Sequence, residues 1–158
     1  MFDKAPVAHT EETDYPLAKF KLCDGLLPEE LEVLKARLTR HSFAAGETII
    51  REGCEASEIY LLVRGRVSVL VPDPSGDGKR LASFQAGLLF GEVAVIDGAL
   101  RSARIRADSP VQCDRLSRDD FESLDRTHPA IKLKLWRNLS RNLCDRLRKV
   151  TRELSVFD

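Results

Sequence analysis

The sequence predicts a mainly β domain, an antiparallel β-roll or sandwich flanked by helices. Two observations carry this. Between Thr39 and Leu116 the apolar period is two. Short Val, Ile and Leu runs there are broken by Gly46, Gly53, Gly65, Gly76, Gly78, Gly87, Gly91 and Gly98. Regular short strands separated by turn residues build such folds. On either side the apolar spacing becomes three and four, the period of a helix. With 158 residues, one domain with a substantial core is expected.

Composition narrows the function classes. Lysine plus arginine and aspartate plus glutamate each number 25, so the formal charge is +0. Global charge therefore gives no argument for nucleic acid or membrane. No apolar run approaches a spanning helix, so no membrane segment is expected in the chain. The polar, acidic N-terminus lacks a signal-peptide pattern. Cys23, Cys54, Cys113 and Cys144 are scattered without a C-x-x-C pair. They read as reduced thiols of a cytoplasmic protein. His9, His41 and His128 do not converge in sequence, so no metal site is expected. Nucleophile-elbow, P-loop and Cys–His patterns are missing, which argues against an enzyme.

The elements follow in order. Residues 1–16 show no periodicity and read as a flexible leader or linker stub. The domain is expected over 17–158. Leu17, Phe20, Leu22 and Leu26 suggest one or two helical turns. Pro28 opens a helix, with Glu29 and Glu30 matching its dipole and Leu31, Leu34 and Leu38 as its face. The roll spans about 39–117 by its period of two. Arg64–Gly65 reads as a tight hairpin turn. Val67, Val69 and Val71 read as the buried face of one strand. Pro72 to Gly78 is an exposed loop.

Ser117 is placed to cap a helix over Asp119–Arg126, with Phe121 and Leu124 inward. His128–Pro129 resets the chain. A long helix follows from about Ala130 to the end. Its stripe is Ile131, Leu135, Trp136, Leu139, Leu143, Leu147, Val150, Leu154 and Phe157. Steps of three and four mark one continuous face. Its early part should rest on the roll. The late run from Leu147 resembles a short coiled-coil seam that would take a partner helix. The helix is also basic, which reads as a solvated face with internal pairs such as Asp145 with Lys149.

The chain is organised around Phe90 to Ala103. Gly91 lets the backbone approach a ligand closely. A carboxylate follows at Glu92, and Val93 to Ile96 suits one helical turn, whose free N–H groups point back towards Gly91 and attract an anion. Asp97–Gly98 ends the turn. Arg101 then returns towards the seat with a planar fork that fits two phosphate oxygens. Alternation through Ala103, Ile105 and Ala107 places Arg101 on the inward row, with Arg104 and Arg106 outward. Glu92 would repel phosphate, so it should face hydroxyls beside it. A hydroxyl-bearing monoanion, such as a ribose joined to a cyclic phosphodiester, meets both conditions.

This stretch closely resembles the phosphate-binding cassette of cyclic nucleotide-binding domains. That family includes the bacterial catabolite activator protein, regulatory subunits of cyclic AMP-dependent protein kinase and cyclic nucleotide-gated channels. The resemblance runs from about Leu17 to the chain end. It includes Phe43-Ala44-Ala45-Gly46-Glu47, Glu52–Gly53 and Ile59 to Val67 upstream, and Phe121 and Pro129 downstream. It implies a jelly-roll-like antiparallel β-roll of about eight strands. With it come an N-terminal helix, a short cassette helix and a long C-terminal helix.

The resemblance also implies a regulatory sensor of cyclic AMP, or of cyclic GMP. Gly91, Glu92, Ala94, Arg101 and Ser102 would form its pocket. Glu92 would take the ribose 2′-hydroxyl. Arg101, with the backbone at Ala94 and Ser102, would take the phosphate. Leu88 and Leu89 would line the floor, and Asn142 or Arg146 would cap the base. Cys54, Leu100 and Cys23 depart from the residues usual at their positions. Cyclic nucleotide is the implied partner. A homodimer or effector domain would attach through the C-terminal helix. The DNA-binding domain that follows this helix in catabolite activators is not seen in this chain. The alternatives are a roll serving only as an assembly module, and a C-terminal regulatory piece of a transporter, channel or metabolic enzyme.

Overall fold

The computed structural model describes residues 13–76 and 78–155. The rest of the expected leader and Phe157 lie outside the described residues. Among the described residues, eight strands form two four-stranded sheets in which all pairings are antiparallel. The strands are β1 (Leu38–Phe43), β2 (Thr48–Ile50), β3 (Glu58–Arg64), β4 (Arg66–Val71), β5 (Lys79–Gln85), β6 (Leu89–Phe90), β7 (Arg104–Ala107) and β8 (Val111–Ser117). One sheet has the order β1-β8-β3-β6 and the other β2-β7-β4-β5. The helices are α1 (Pro28–Lys35), α2 (Glu92–Asp97), α3 (Arg118–Thr127) and α4 (Pro129–Ser155).

The central strand β3 explains the layering. Its run Ile59-Tyr60-Leu61-Leu62-Val63 is wholly buried. Ile59 and Leu61 join Leu116, Phe121, Leu124, Leu135 and Leu139 in a core beneath the helices. Tyr60 and Leu62 join Ile50, Val67, Phe90 and Ile105 between the sheets. A strand covered on both faces needs a continuous apolar run rather than alternation. Each such large side chain stabilises by about 1.5–3 kcal/mol on full burial.

Several local expectations are corrected. Leu38 does not extend the α1 face; the helix ends at Lys35, and Leu38 opens β1 opposite Leu116. Arg64–Gly65 is not a hairpin turn, because β3 and β4 belong to different sheets. Gly65 instead turns a corner at φ 91°, where an added Cβ would lie 2.4 Å from the Pro110 carbonyl oxygen. The hairpin joins β4 to β5 through the loop that follows Val71. A register shift between Val69 and Leu70 breaks the expected alternation. Val67 and Leu70 are buried, while Val69 and Val71 are half-buried.

The described end of the expected leader is docked. Tyr15 N–H donates to the Val63 carbonyl at 3.0 Å. Its ring meets Phe20 edge-on at 4.7 Å. Asp14 pairs with Arg40 at 2.6 Å and with Arg64. Two cations and a ring socket thus hold a stretch that has no periodicity to announce it.

Ser117 caps α3, accepting from Asp120 N–H at 3.0 Å. The first half of α4 is anchored firmly. Asn138 Nδ2 donates to the carbonyls of Leu22 (2.7 Å) and Asp24 (2.9 Å). Lys134 reaches Glu30 at 2.5 Å. Lys132 is buried against the Phe121 carbonyl at 2.7 Å. Further along, Leu147, Val150 and Leu154 are exposed by 67%, 50% and 66%, so the helix outruns the roll.

Candidate functional site

The site begins at Gly91. Strand β6 pairs Leu89 with Leu61 and Phe90 with Tyr60, which fixes the entry to α2 on the sheet. Gly91 then adopts φ 83° as the N-cap. A Cβ there would sit 2.9 Å from Arg101 Nη1 and 3.3 Å from the Glu58 carbonyl oxygen. Glycine is required by the backbone angle and by this close approach. Gly98, at φ 72°, ends the short helix.

Arg101 is not part of a strand; β7 starts at Arg104. It is still held inward. Its N–H donates to the Cys54 carbonyl and its carbonyl accepts from Gly53 N–H, both at 2.9 Å. The residue is 8% exposed. Its guanidinium donates to the Gly91 carbonyl and, at 2.8 Å, to the Glu58 carbonyl. Burial pushes its pKa down, yet an arginine keeps its charge in a protein. The result is a buried cation held by two neutral acceptors.

Glu92 is wholly buried. Its Oε1 accepts from Arg146 Nη1 on α4. Its Oε2 is shielded from water and has no hydrogen-bond partner among the described residues. Burial pushes the carboxyl pKa above its ordinary value, and Arg146 pulls it partly back. A buried oxygen without a donor points to a ligand group or an ordered water. Arg146 also donates to the Leu89 carbonyl and lies 4.8 Å above the Phe84 ring.

These groups line one cavity of about 240 Å³. Gly91, Glu92, Ala94, Arg101, Ser102 and Arg146 are all in its wall, together with Ile50, Val69, Phe84 and Phe90. A larger cavity of about 500 Å³ lies between α1 and the segment around Tyr15. There Arg40 is already paired with Asp14 and Asp114. Its size therefore weighs less than the orphaned carboxylate oxygen of the smaller one.

Three expected residues are not in the wall. Leu88 is partly exposed, and its backbone pairs with Leu62. Leu89 is buried in the core beneath the helices. Alternation in β6 turns Phe90, not Leu89, towards the interior between the sheets. Asn142, one turn before Arg146, is half-buried, with its Nδ2 unpartnered among the described residues. Phe84 and Phe90 were missed. Phe84 pairs with Val67 across β5 and β4, a strand register that local pattern does not announce. Among the described residues, no three His, Cys, Asp or Glu side chains group as metal ligands would. No described helix is long and apolar enough to cross a membrane.

The profile of the cyclic nucleotide-binding domain matches residues 40–128. The chain belongs to the cyclic nucleotide-binding domain family. It is 40% identical to glutaminase 2 of Bradyrhizobium diazoefficiens over 115 residues, 73% of this chain and 18% of that protein. It is 35% identical to the cAMP-activated global transcriptional regulator CRP of Pasteurella multocida, over 70% of this chain and 54% of that one. The crystal structure of the Thermus thermophilus catabolite activator protein matches with a TM-score of 0.74 at 30% identity. That match covers 87% of this chain and 62% of the other. In this chain the cyclic nucleotide-binding roll is followed by a long helix. The chain spans 18% and 54% of the two relatives' lengths.

Proposed function

We propose that this chain is a regulatory sensor domain that binds cyclic AMP in the cavity between α2, β5 and α4. One observation carries the reading. Glu92 is a wholly buried carboxylate with one oxygen unpartnered among the described residues, in the same cavity wall as the buried Arg101. A ribose 2′-hydroxyl supplies the missing donor to Glu92. The cyclic phosphate sits against Arg101, with Ser102 and the α2 backbone at Ala94 beside it. Phosphate competes for Arg101 because it brings a full negative charge and two oxygens that fit the guanidinium fork, which a neutral carbonyl lacks. Phe84, Phe90 and Val69 give the rest of the ligand an apolar wall.

Cyclic AMP is preferred because the transcriptional regulator above carries that nucleotide in its name. Ser102 is compatible with either base, so cyclic GMP is the competing ligand. The domain corresponds to residues 17–158 and acts in the cytoplasm, where its free thiols stay reduced. The output is a shift of the second half of α4. Ligand favours one helix placement by the difference in affinity between placements. The exposed Leu147, Val150 and Leu154 then present a seam to a second copy or an effector domain.

The likeness to a glutaminase supports a more specific setting, that of a regulatory part of a larger metabolic enzyme. Titration calorimetry of the purified chain with cyclic AMP and cyclic GMP tests the ligand. Saturable one-to-one binding, tighter for cyclic AMP, is expected. Tenfold preference for cyclic GMP, a difference of about 1.4 kcal/mol, would reverse the nucleotide assignment. Binding of neither would leave the roll as an assembly module.

A further inference from the structure

Asp14 and Tyr15, ahead of the first helical turn, are held on the rim of the roll by contacts that the nucleotide reading does not use. The Tyr15 N–H donates to the Val63 carbonyl at 3.0 Å. Its ring stands edge-on to the buried Phe20 and covers Gly87. A Cβ on Gly87 would lie 2.7 Å from Tyr15 Cε2 and 2.8 Å from Cζ. Gly87, at φ 98°, is therefore glycine for two reasons, its backbone angle and the ring above it.

The geometry points to Asp14 and Tyr15 as a strap that fastens the chain before the roll to the turn entering β6 and α2. Gly87 N–H donates to the Leu62 carbonyl at 2.9 Å, and Leu62 N–H donates to the Leu88 carbonyl at 3.0 Å. Strand β6 follows directly, and α2 opens just after it. A ring that leaves Gly87 thus loosens the turn on which β6, and through it α2, is set. Displacement of the chain before Asp14 reaches the cavity wall by this route, without passing through α4. The effect on nucleotide affinity rests on the reading of that cavity as a cyclic nucleotide site; the strap itself does not.

The strap has two kinds of hold. Asp14 lies between Arg40 of β1, at 2.6 Å, and Arg64 at the end of β3. All three side chains are more than a third exposed, so these pairs are screened by salt and add little. Arg40 also holds Asp114 at 2.9 Å and so keeps a partner when Asp14 lifts. The Tyr15 ring supplies the part of the hold that salt does not weaken. Cavities of about 500 Å³ and 390 Å³ flank the strap, the first lined by Tyr15, Leu31 and Arg40 and the second by Thr13, Arg64 and Gly65. The strap is not enclosed by the core, and a segment with few buried contacts opens locally at low cost.

The test compares the parent chain with Tyr15→Phe, Tyr15→Ala and Asp14→Asn by hydrogen exchange without ligand. The amide of residue 15 reports the strap, and Gly87–Phe90 reports the turn. Tyr15→Ala should lower protection at Gly87–Phe90 about tenfold, with α3 unchanged. Tyr15→Phe keeps the ring and should match the parent. Asp14→Asn should lower protection of the Tyr15 amide at low salt, a difference that closes at about 1 M salt. Unchanged protection at Gly87–Phe90 in Tyr15→Ala, a loss spread evenly over the roll, or a Tyr15→Phe chain that behaves like Tyr15→Ala would overturn the proposal. Melting of Gly87→Ala gives a second measurement. The substitution should lower the melting temperature less in a Tyr15→Ala background than in the parent, because the ring it would meet is gone, and losses that simply add would overturn the contact. Coupling to a ligand is reciprocal. Saturating cyclic AMP should raise protection of the Tyr15 amide, and Tyr15→Ala should bind cyclic AMP about fivefold more weakly. A parent that binds cyclic AMP with neither change would overturn the link to the site. A parent that binds no nucleotide while Tyr15→Ala loosens Gly87–Phe90 would refute the ligand reading and leave the strap standing.

Discussion

Arg146 and Glu92, separated by 54 positions, form an ion pair inside the roll. One partner is on the long C-terminal helix and the other opens the short helix beside the cavity. The pair joins the candidate site to the helix whose second half outruns the roll.

Stability should depend on pH through Glu92. Its folded carboxyl pKa lies above its ordinary value of 4.5, because desolvation outweighs the pull of Arg146. A group with a raised folded pKa contributes stability below its unfolded pKa and loses it as pH rises through the folded one. Glu92→Gln removes that loss. The ligand-free variant should melt above the parent at neutral pH, with the gap closing towards about pH 4.5. Thermal melts at several pH values check this. A gap that widens on acidification would contradict it.

Gly91→Ala should damage both fold and site. A left-handed backbone costs a residue with a Cβ about 1–2 kcal/mol. The new methyl would also meet Arg101 Nη1 at 2.9 Å. Loss of several degrees in melting temperature and weaker nucleotide binding are expected. A Gly91→Ala variant that melts and binds like the parent would show that neither constraint operates.

How much of this was legible depended on whether the signal was local. Ser117 announced its cap because side chain and donor are three residues apart. The Gly-Glu step and the returning arginine marked Glu92 and Arg101, and the chain does bring them to one cavity. The corner at Gly65 was misread because a turn glycine looks the same whether its strands pair or part. Val69 was misread because a register shift is a property of two strands, β4 and β5. Phe84 and the docking of Tyr15 likewise depend on partners distant in sequence. The Arg146–Glu92 pair spans two helices whose mutual placement no periodicity states.

Ligand should protect two separate stretches from hydrogen exchange, around Gly91–Arg101 and around Leu139–Val150. The first contains the cavity wall and the second carries Arg146. Moving a two-state helix from mostly open to mostly closed takes about 3–5 kcal/mol of differential affinity. A phosphate clamp with the Glu92 contact is of that size. Protection confined to the first stretch would mean that the domain binds without moving its helix.

The central claim is that Arg101 receives the cyclic phosphate, and calorimetry of Arg101→Ala beside the parent tests it most directly. The variant should keep its fold, since Arg101 leaves behind two backbone carbonyls rather than an unpaired charge. Its affinity for cyclic AMP should drop by about two to three decades or more, because removing one partner of a buried charge pair costs about 3–5 kcal/mol. A folded Arg101→Ala chain that binds cyclic AMP within about threefold of the parent, under about 1 kcal/mol, would contradict the assignment.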